Sequence, residues 1–180
     1  MKTTCTFLLS ILLFWSCTQV QKQDATVSTF DEQQEIAKIM KVIEGETKCF
    51  FDGNYSCWNA HWSHEKYAMQ VWNNDDGTFD AAIGWEQINK QGKGWIEKYY
   101  KSGKNIIHPV VKREKPTVKF FNKDVAYLIW KQYNANQENT HYLISQETRL
   151  MEKQNGEWKI VNVSAFWNSK TKVPVDSLKI

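Results

Sequence analysis

The sequence predicts an α+β fold in which N-terminal helices pack on one face of a strongly curved, mostly antiparallel sheet. Two observations carry this prediction. Apolar residues recur at three- and four-residue steps in the N-terminal half, which is typical of helices with one buried face. From Val110 onward the pattern is that of strands, broken by turn residues at 122–124, 134–140 and 155–156. A long helix laid across such a bent sheet leaves a conical cavity.

The N-terminal half predicts three helices. Thr29 and Glu32 match a capping box that begins the first helix, and the turn residues 52–54 end it. The second helix is expected over Tyr55–Trp62 and the third over Trp85–Tyr100.

Two glycines fall inside the third predicted helix. Gly92 and Gly94 each cost about 1 kcal/mol relative to alanine in a helix, so we expect a kink or a close packing contact there. Six strands are also expected: a hairpin over 67–72 and 78–83, then 110–121, 125–134, 142–153 and 157–167.

The N-terminus predicts an exported protein of the bacterial cell envelope. An apolar run over residues 7–15 follows the basic start and is too short to span a bilayer comfortably. We interpret residues 1–16 as an export signal and Cys17 as the lipid-modified first residue of the mature chain. The bulky Trp15 departs from the usual site, so a plain secretory signal or a retained anchor stays open. Residues 17–28 then form a tether, 29–170 the folded domain and 171–180 a C-terminal tail.

Composition and cysteine spacing limit the possible partners. The formal net charge of +3 neither favours nor excludes a charged polymer. The basic run at 112–115 is interpreted as a solvated strand edge, so nucleic-acid binding is not expected. Cys49 and Cys57 form a disulfide or stay separate; the sequence leaves this open. No His/Cys group has zinc spacing, so we expect neither a metal nor a cofactor.

Glu147 and Arg149 are the central candidates for a functional site. They are two residues apart on a predicted strand, so both side chains point to one face of the sheet. Arg149 either holds an anionic ligand or pairs with Glu147. Glu147 is either that partner or a base. His61 and His64 suit proton transfer near neutral pH, although packing or surface roles are the alternative.

Several short motifs make the chain resemble a known superfamily. They are Gln34-Glu35-Ile36, Ala126-Tyr127 with Gln132-Tyr133, Glu147-Thr148-Arg149, and Gly156-x-Trp158-Lys159-x-Val161. Over residues 30–168 the chain resembles the nuclear transport factor 2-like (SnoaL-like) superfamily. Within it, the chain is most similar to the association (hub) domain of calcium/calmodulin-dependent protein kinase II.

The resemblance implies a cone-shaped pocket, a homodimer formed through the sheet, and an arginine-lined cavity for small carboxylates. Arg149 matches one of those arginines. Ile129 stands where the hub carries a further arginine, and Asn162 and Ser164 stand where it carries two histidines. The pocket is therefore expected to be less basic than that of the hub. No part of a kinase is present, so a role in assembling kinase rings is not implied.

Aromatic side chains are the expected walls of the pocket, because nine Trp residues are present. The candidates are Trp58, Trp72, Trp85, Trp95, Tyr99, Tyr133 and Trp167. The predicted ligand-binding residues are Arg149, Trp58, Trp72, Trp95, Tyr99, Tyr133 and Asn162.

Three functions stay open from the sequence. The first is an exported lipoprotein that binds a small, acidic and partly apolar molecule, with its only membrane contact through the lipid. The second is an enzyme of the ketosteroid isomerase or SnoaL kind, with His61, His64 or Glu147 as the base, although no catalytic signature is complete. The third is a dimerisation or assembly module without a ligand. We favour the first.

Overall fold

The computed structural model describes residues 30–101 and 110–180, apart from the side chains of residues 99–101. The predicted export signal, the lipidation site Cys17, the tether and Thr29 lie outside these residues. Within them, no helix has the length and apolar character needed to cross a membrane. The helices are α1 (Glu32–Phe51), α2 (Tyr55–Ala60) and α3 (Trp85–Lys101). The strands are β1 (Met69–Asn73), β2 (Phe79–Ile83), β3 (Val111–Arg113), β4 (Thr117–Asn122), β5 (Val125–Ala135), β6 (His141–Gln154) and β7 (Glu157–Pro174).

Helix α1 begins two residues later than the capping box predicts. Asp31 is the N-cap, and its carboxylate accepts a hydrogen bond from the backbone N–H of Gln34 at 3.1 Å. The prediction that Thr29 caps the helix is therefore wrong; the carboxylate of Asp31, and not a threonine hydroxyl, accepts from the free amide. The helix ends before Gly53, whose φ of 69° lies in the left-handed region.

A disulfide joins the end of α1 to α2. Cys49 and Cys57 are bonded to each other, with their Cα atoms 5.6 Å apart, so the structure decides the alternative that the sequence left open. Asn54 caps α2 by accepting from the N–H of Cys57 at 3.1 Å. The helix is shorter than predicted, because it ends at Ala60 and Trp62 instead forms a bridge to Ile160 of β7.

The sheet has the order β2-β1-β7-β6-β5-β3, and β4 also pairs with β5. All neighbours are antiparallel except β1 and β7, which are parallel. The predicted strand over 110–121 is broken between Arg113 and Thr117, where Pro116 lacks the N–H that a ladder needs. Strand β7 extends past the predicted domain boundary at 170, because residues 172–174 pair with β6.

The helices cover one face of this sheet, and we call it the inner face. Apolar side chains of α1 and α3 pack there against buried residues such as Leu128, Met151 and Ile160. The close contact expected at Gly92 is confirmed, because a Cβ on this residue would overlap the indole ring of Trp58. The structure is thus the predicted α+β arrangement, with a mixed but mostly antiparallel sheet under the helices.

The opposite, outer face carries exposed apolar side chains. The register places Phe79, Ile83, Tyr127 and Phe166 on it, and Phe166 is 57% and Phe79 71% exposed. At one end of this face a second apolar cluster forms around Tyr133 and is packed by Val173, Val175 and Leu178. The residues after 170 therefore cover part of the outer face.

Candidate functional site

Three polar residues of β6 line the inner face. Ser145, Glu147 and Arg149 alternate along the strand, and Glu147 is only 2% and Arg149 9% exposed. Nη1 of Arg149 donates to Oε2 of Glu147 at 2.9 Å and to the carbonyl of Thr148 at 2.8 Å. The hydroxyl of Ser145 donates to the other Glu147 oxygen at 2.6 Å. Glu147 is therefore the ion-pair partner of Arg149, which is the role the sequence favoured.

Arg149 keeps hydrogen-bond donors for a further group. Its Nε and Nη2 have no hydrogen-bond partner in the described part of the chain. The buried side-chain polar atom without a partner in that part of the chain is Oε1 of Gln91, on α3. The guanidinium also lies over the ring of Trp130, 5.0 Å from its centroid. A planar cation held on one edge and open on the other is a ready site for a carboxylate.

A second arginine, Arg113 of β3, enters the same site. Its Nε donates to Oε1 of Gln132 at 2.8 Å, and its Nη2 donates to the hydroxyl of Thr47 on α1 at 3.3 Å. Burial and the charge of Arg149 lower the pKa of Arg113, against the nearby carboxylates of Glu44, Glu147 and Glu46. Arg113 is thus half-buried beside another cation.

The sequence interpretation of residues 112–115 as a solvated edge was wrong for Arg113. In the register of β3 on β5, Arg113 lies opposite Gln132 on the inner face, while Lys112 lies opposite Tyr133 on the outer face. Ile129 pairs with Thr148 and lies on the outer face, so Arg113 is the residue that brings a second arginine to the inner face. The alternation of Val111 and Arg113 around Lys112 was the signal available in the sequence.

One chain of hydrogen bonds connects the two arginines across the sheet. The amide of Gln132 donates to Asn134 at 2.9 Å, and the amide of Asn134 donates to Ser145 at 3.1 Å. We call this set the polar chain: Arg113, Gln132, Asn134, Ser145, Glu147 and Arg149. Since each member is held by its neighbour, both guanidinium groups are oriented before any ligand arrives.

A carboxylate of α1, Glu46, faces this site and was missed by sequence reasoning. Its Oε1 accepts from the indole N–H groups of Trp58 at 2.8 Å and Trp62 at 3.3 Å. Burial raises the pKa of Glu46, and the charge of Arg149, the two indole hydrogen bonds and His61 reduce this effect without cancelling it. Glu46 follows the buried Ile43 by three residues, which was the signal that it lies toward the sheet.

The two histidines make packing contacts. Nδ1 of His61 lies 2.7 Å from the carbonyl of Cys57, and its ring packs so tightly that a Cβ on Gly45 would lie 2.5 Å from Nε2. His64 is exposed and stacks on Trp85 with 4.2 Å between ring centroids. Ligand atoms of Cys49, Cys57 and His61 lie within 4.8 Å of one another, but the disulfide uses both thiols.

The aromatic candidates divide between three locations. Trp72 and Trp167 lie on the inner face with Glu147. Ala165 pairs with both Glu147 and Trp72, which places Trp72 on that face. Trp167 is two residues after Ala165 on the same strand, so it points to the same side. Trp58 is fully buried and stacks on Trp85 behind Glu46. Trp95 is 40% exposed and lines a groove of about 450 Å³ formed by residues of α3. The side chain of Tyr99 lies outside the described part.

Two predicted ligand residues face away from Arg149. Tyr133 lies on the outer face, where its hydroxyl donates to Glu114 at 2.9 Å. Asn162 pairs with Leu150 on that face and contacts Ser164. Alternation from Trp158 and Ile160 would put Asn162 on the inner face. A bulge at residue 161 adds one residue between two pairings and reverses the faces beyond it. Neither residue shares the inner face with Arg149.

No family model and no curated protein matches this sequence. Solved structures match it in fold. A nuclear transport factor 2-like protein from Shewanella oneidensis is similar over 73% of this chain and 98% of its own, with a TM-score of 0.55 and 14% identity. The chain has the nuclear transport factor 2-like fold. The superfamily resemblance seen in the sequence is thereby confirmed as a likeness of fold.

Two further similar structures carry functional names. A putative calcium/calmodulin dependent protein kinase II association domain from Xanthomonas campestris matches 78% of this chain and 91% of its own, with a TM-score of 0.53 and 15% identity. A putative scytalone dehydratase from Novosphingobium aromaticivorans matches 82% and 90%, with a TM-score of 0.56 and 10% identity. Proteins named as a putative association domain and a putative dehydratase thus share this fold with the present chain.

Proposed function

We propose that this protein is an exported lipoprotein whose domain binds a small molecule with a carboxylate group. The acid group binds between Arg149 and Arg113, and the apolar part of the molecule lies against Trp72 and Trp167 on the inner face. The observation that carries this proposal is a pair of guanidinium groups, that of the half-buried Arg113 and that of the buried Arg149. The polar chain orients both groups, and each keeps N–H groups that no described residue accepts.

The geometry favours binding because the cations are not fully used by the protein. Glu147 engages one nitrogen of Arg149, while Gln132 and Thr47 engage two nitrogens of Arg113. A bidentate carboxylate needs two parallel N–H groups, and Nε and Nη2 of Arg149 provide them. Neutral partners on Arg113 leave its charge uncompensated by direct contact, so an anion gains from both groups.

A thermal-shift experiment tests the proposal. The purified protein is heated with acetate, malonate, benzoate and indole-3-acetate, and with the corresponding amides as neutral controls. A ligand at about 100 times its Kd should add about 2.7 kcal/mol of stability. We expect an acid, and not its amide, to raise Tm.

Two neighbouring variants make the test specific. Arg113→Gln removes a charge from the inner face, and Lys112→Gln removes one from the outer face, where Lys112 lies over the ring of Tyr142. Arg113→Gln should abolish most of the shift and Lys112→Gln should leave it intact. Equal loss in both variants would mean that the acids respond to net charge, and the pocket proposal would fail.

We also infer a homodimer through the outer face. The exposed side chains of Phe79, Ile83 and Phe166 give this face an apolar character that a second copy can cover. Sedimentation of the protein and of Phe166→Glu tests this: the wild type should sediment as a dimer and the variant as a monomer. A monomeric wild type at tens of micromolar would remove this inference.

A further inference from the structure

Two arginines and two carboxylates shielded from solvent meet in the pocket, and the exposed Glu44 also lies within electrostatic range of Arg113. Arg113 and Arg149 contribute two positive charges, and Glu46 and Glu147 two negative ones; Arg113 lies within electrostatic range of the other three. This inference rests on the proposed carboxylate binding. A bound carboxylate would add a third negative charge to a buried site with two cations, which is unfavourable in a low dielectric. The site therefore has a reason to lose one negative charge when the ligand enters.

The two protein carboxylates differ in how easily they accept a proton. Glu147 is fixed by direct bonds from Arg149 and Ser145, so protonating it breaks an ion pair. Glu46 has no direct ion pair in the described chain; both indole donors bond its Oε1. Its Oε2 has one long contact, 3.5 Å from the hydroxyl of Thr47. A proton on Oε2 leaves the indole bonds intact.

We propose that the pocket takes up its acid ligand together with one proton, which Glu46 holds while the ligand is bound. The charge of Arg149 is the interaction that most favours ionised Glu46. A ligand carboxylate on Arg149 offsets that charge, so the anionic form of Glu46 loses its main support. Binding and protonation then favour each other, as any two linked equilibria must.

Three basic side chains lie around Glu46. Arg149 faces it from β6, His61 from the end of α2, and Arg113 lies within range from β3. On α1 itself, Glu44 is exposed to solvent. The ligand is held by the two arginines, so theirs are the charges that it offsets.

The proposal fixes how affinity depends on pH. A proton is taken up only between the pKa of Glu46 in the free pocket and its higher pKa in the loaded pocket. Within that window Kd should rise by up to about tenfold for each pH unit. The protein would therefore bind a monocarboxylic acid at lower pH and release it as the pH rises.

Indole NMR signals report the proton directly. In ¹⁵N-labelled full-length protein, the Nε1–H signals of Trp58 and Trp62, assigned with Trp58→Phe and Trp62→Phe, should titrate with Glu46. Saturating benzoate, or whichever acid raises Tm above, should move the midpoint of this titration upward by about one pH unit or more. In Glu46→Gln the titration should vanish, and the Kd of the acid should no longer vary with pH.

A ligand-free variant provides an independent arm. Arg149→Gln removes the charge that the ligand is proposed to offset, so the midpoint should rise without any acid present. If this variant does not fold, the wild-type titration with and without acid still decides the matter.

The outcomes separate this inference from the proposed function. If the acid binds while the midpoint stays or falls, proton uptake is overturned and carboxylate binding stands. If the indole signals titrate with Glu46 but no acid binds, the proposed function fails and the coupling fails with it. If the acid binds Glu46→Gln with the wild-type pH dependence, another group takes up the proton and Glu46 is excluded.

Discussion

Glu35 and Glu46 lie on the same face of α1, three turns apart, and have opposite electrostatic environments. Each accepts a hydrogen bond from a buried indole: Trp158 donates to Glu35 at 2.6 Å, and Trp58 donates to Glu46 at 2.8 Å. Burial raises the pKa of both carboxyl groups. Yet at Glu35 the hydrogen bonds from Lys153, Lys38 and Trp158 outweigh burial and lower the pKa to about 2, whereas at Glu46 burial wins.

Direct contact with a cation makes this difference. Lys153 and Lys38 each lie 2.8 Å from an oxygen of Glu35. Arg149 is the cation that most lowers the pKa of Glu46, but its direct ion pair is with Glu147. Indole donors alone therefore do not offset the desolvation that raises the pKa of Glu46, while lysines in contact with Glu35 do offset it there. One end of α1 thus carries a carboxylate in direct contact with two lysines, and the other end carries a carboxylate whose hydrogen-bond donors are neutral.

The largest expected loss of stability comes from breaking the ion pair between Arg149 and Glu147. Arg149→Met leaves Glu147 buried without its cation, which should cost about 3 to 5 kcal/mol in unfolding free energy. Chemical denaturation measures this loss. The double variant Arg149→Met/Glu147→Gln should recover most of it, because no buried charge is then unpaired. A loss below about 1 kcal/mol in the single variant would show that water already solvates Glu147.

A substitution on α3 should disturb the indole that bonds Glu46. Gly92→Ala places a Cβ against Trp58, so either the indole or the helix must move; overpacking of this kind costs about 1 to 3 kcal/mol. Gly94→Ala is the matched control, since nothing lies within 4 Å of its Cβ. That variant should instead gain up to about 1 kcal/mol from helix propensity. Equal effects in thermal unfolding would contradict the packing at Gly92.

Removing the charge of Glu35 should weaken the protein only where that carboxyl is ionised. Its pKa is lowered from 4.5 to about 2, so its stabilisation is present above pH 4.5 and is lost as the pH falls toward 2. Glu35→Gln should lose about 1 to 2 kcal/mol at neutral pH. Unfolding curves of the variant and the wild type should converge in acid. Parallel curves down to about pH 2 would mean that the lysines do not control Glu35.

The same substitution at Glu46 should have the opposite sign and the smallest size. Because folding raises its pKa, the wild type binds the proton more tightly when folded, and its stability falls as the pH rises above 4.5. Glu46→Gln removes this loss, so the variant should be more stable than the wild type near pH 8 and nearly equal to it near pH 4. Urea unfolding at both pH values tests this. A destabilised variant at pH 8 would show that Glu46 has a cation partner after all.

Much of the fold was readable because its signals are local. Helical spacing placed α1 and α3, and the turn at Asn155 and Gly156, both at positive φ, joined β6 to β7 as expected. Strand alternation placed Glu147 and Arg149 on one face, and their pairing followed from their opposite charges. A side-chain period of two is a property of the strand itself, so it holds whatever the strand pairs with.

The candidate site is formed by contacts between segments that are distant in the sequence, so the sequence alone did not predict all of its residues. Arg113 reaches the pocket because of the register of β3 on β5, and a bulge at residue 161 turns Asn162 to the outer face. Glu46 became a candidate only where α2 brought two indoles to it.

The amino-acid sequence thus determined the elements, their order and the relative sides of residues within each one. Only the tertiary structure decided which side the helices cover and which charges meet there. Register and bulges are set by the summed packing of whole elements, and burial of a charge depends on every segment around it. No local pattern contains that information.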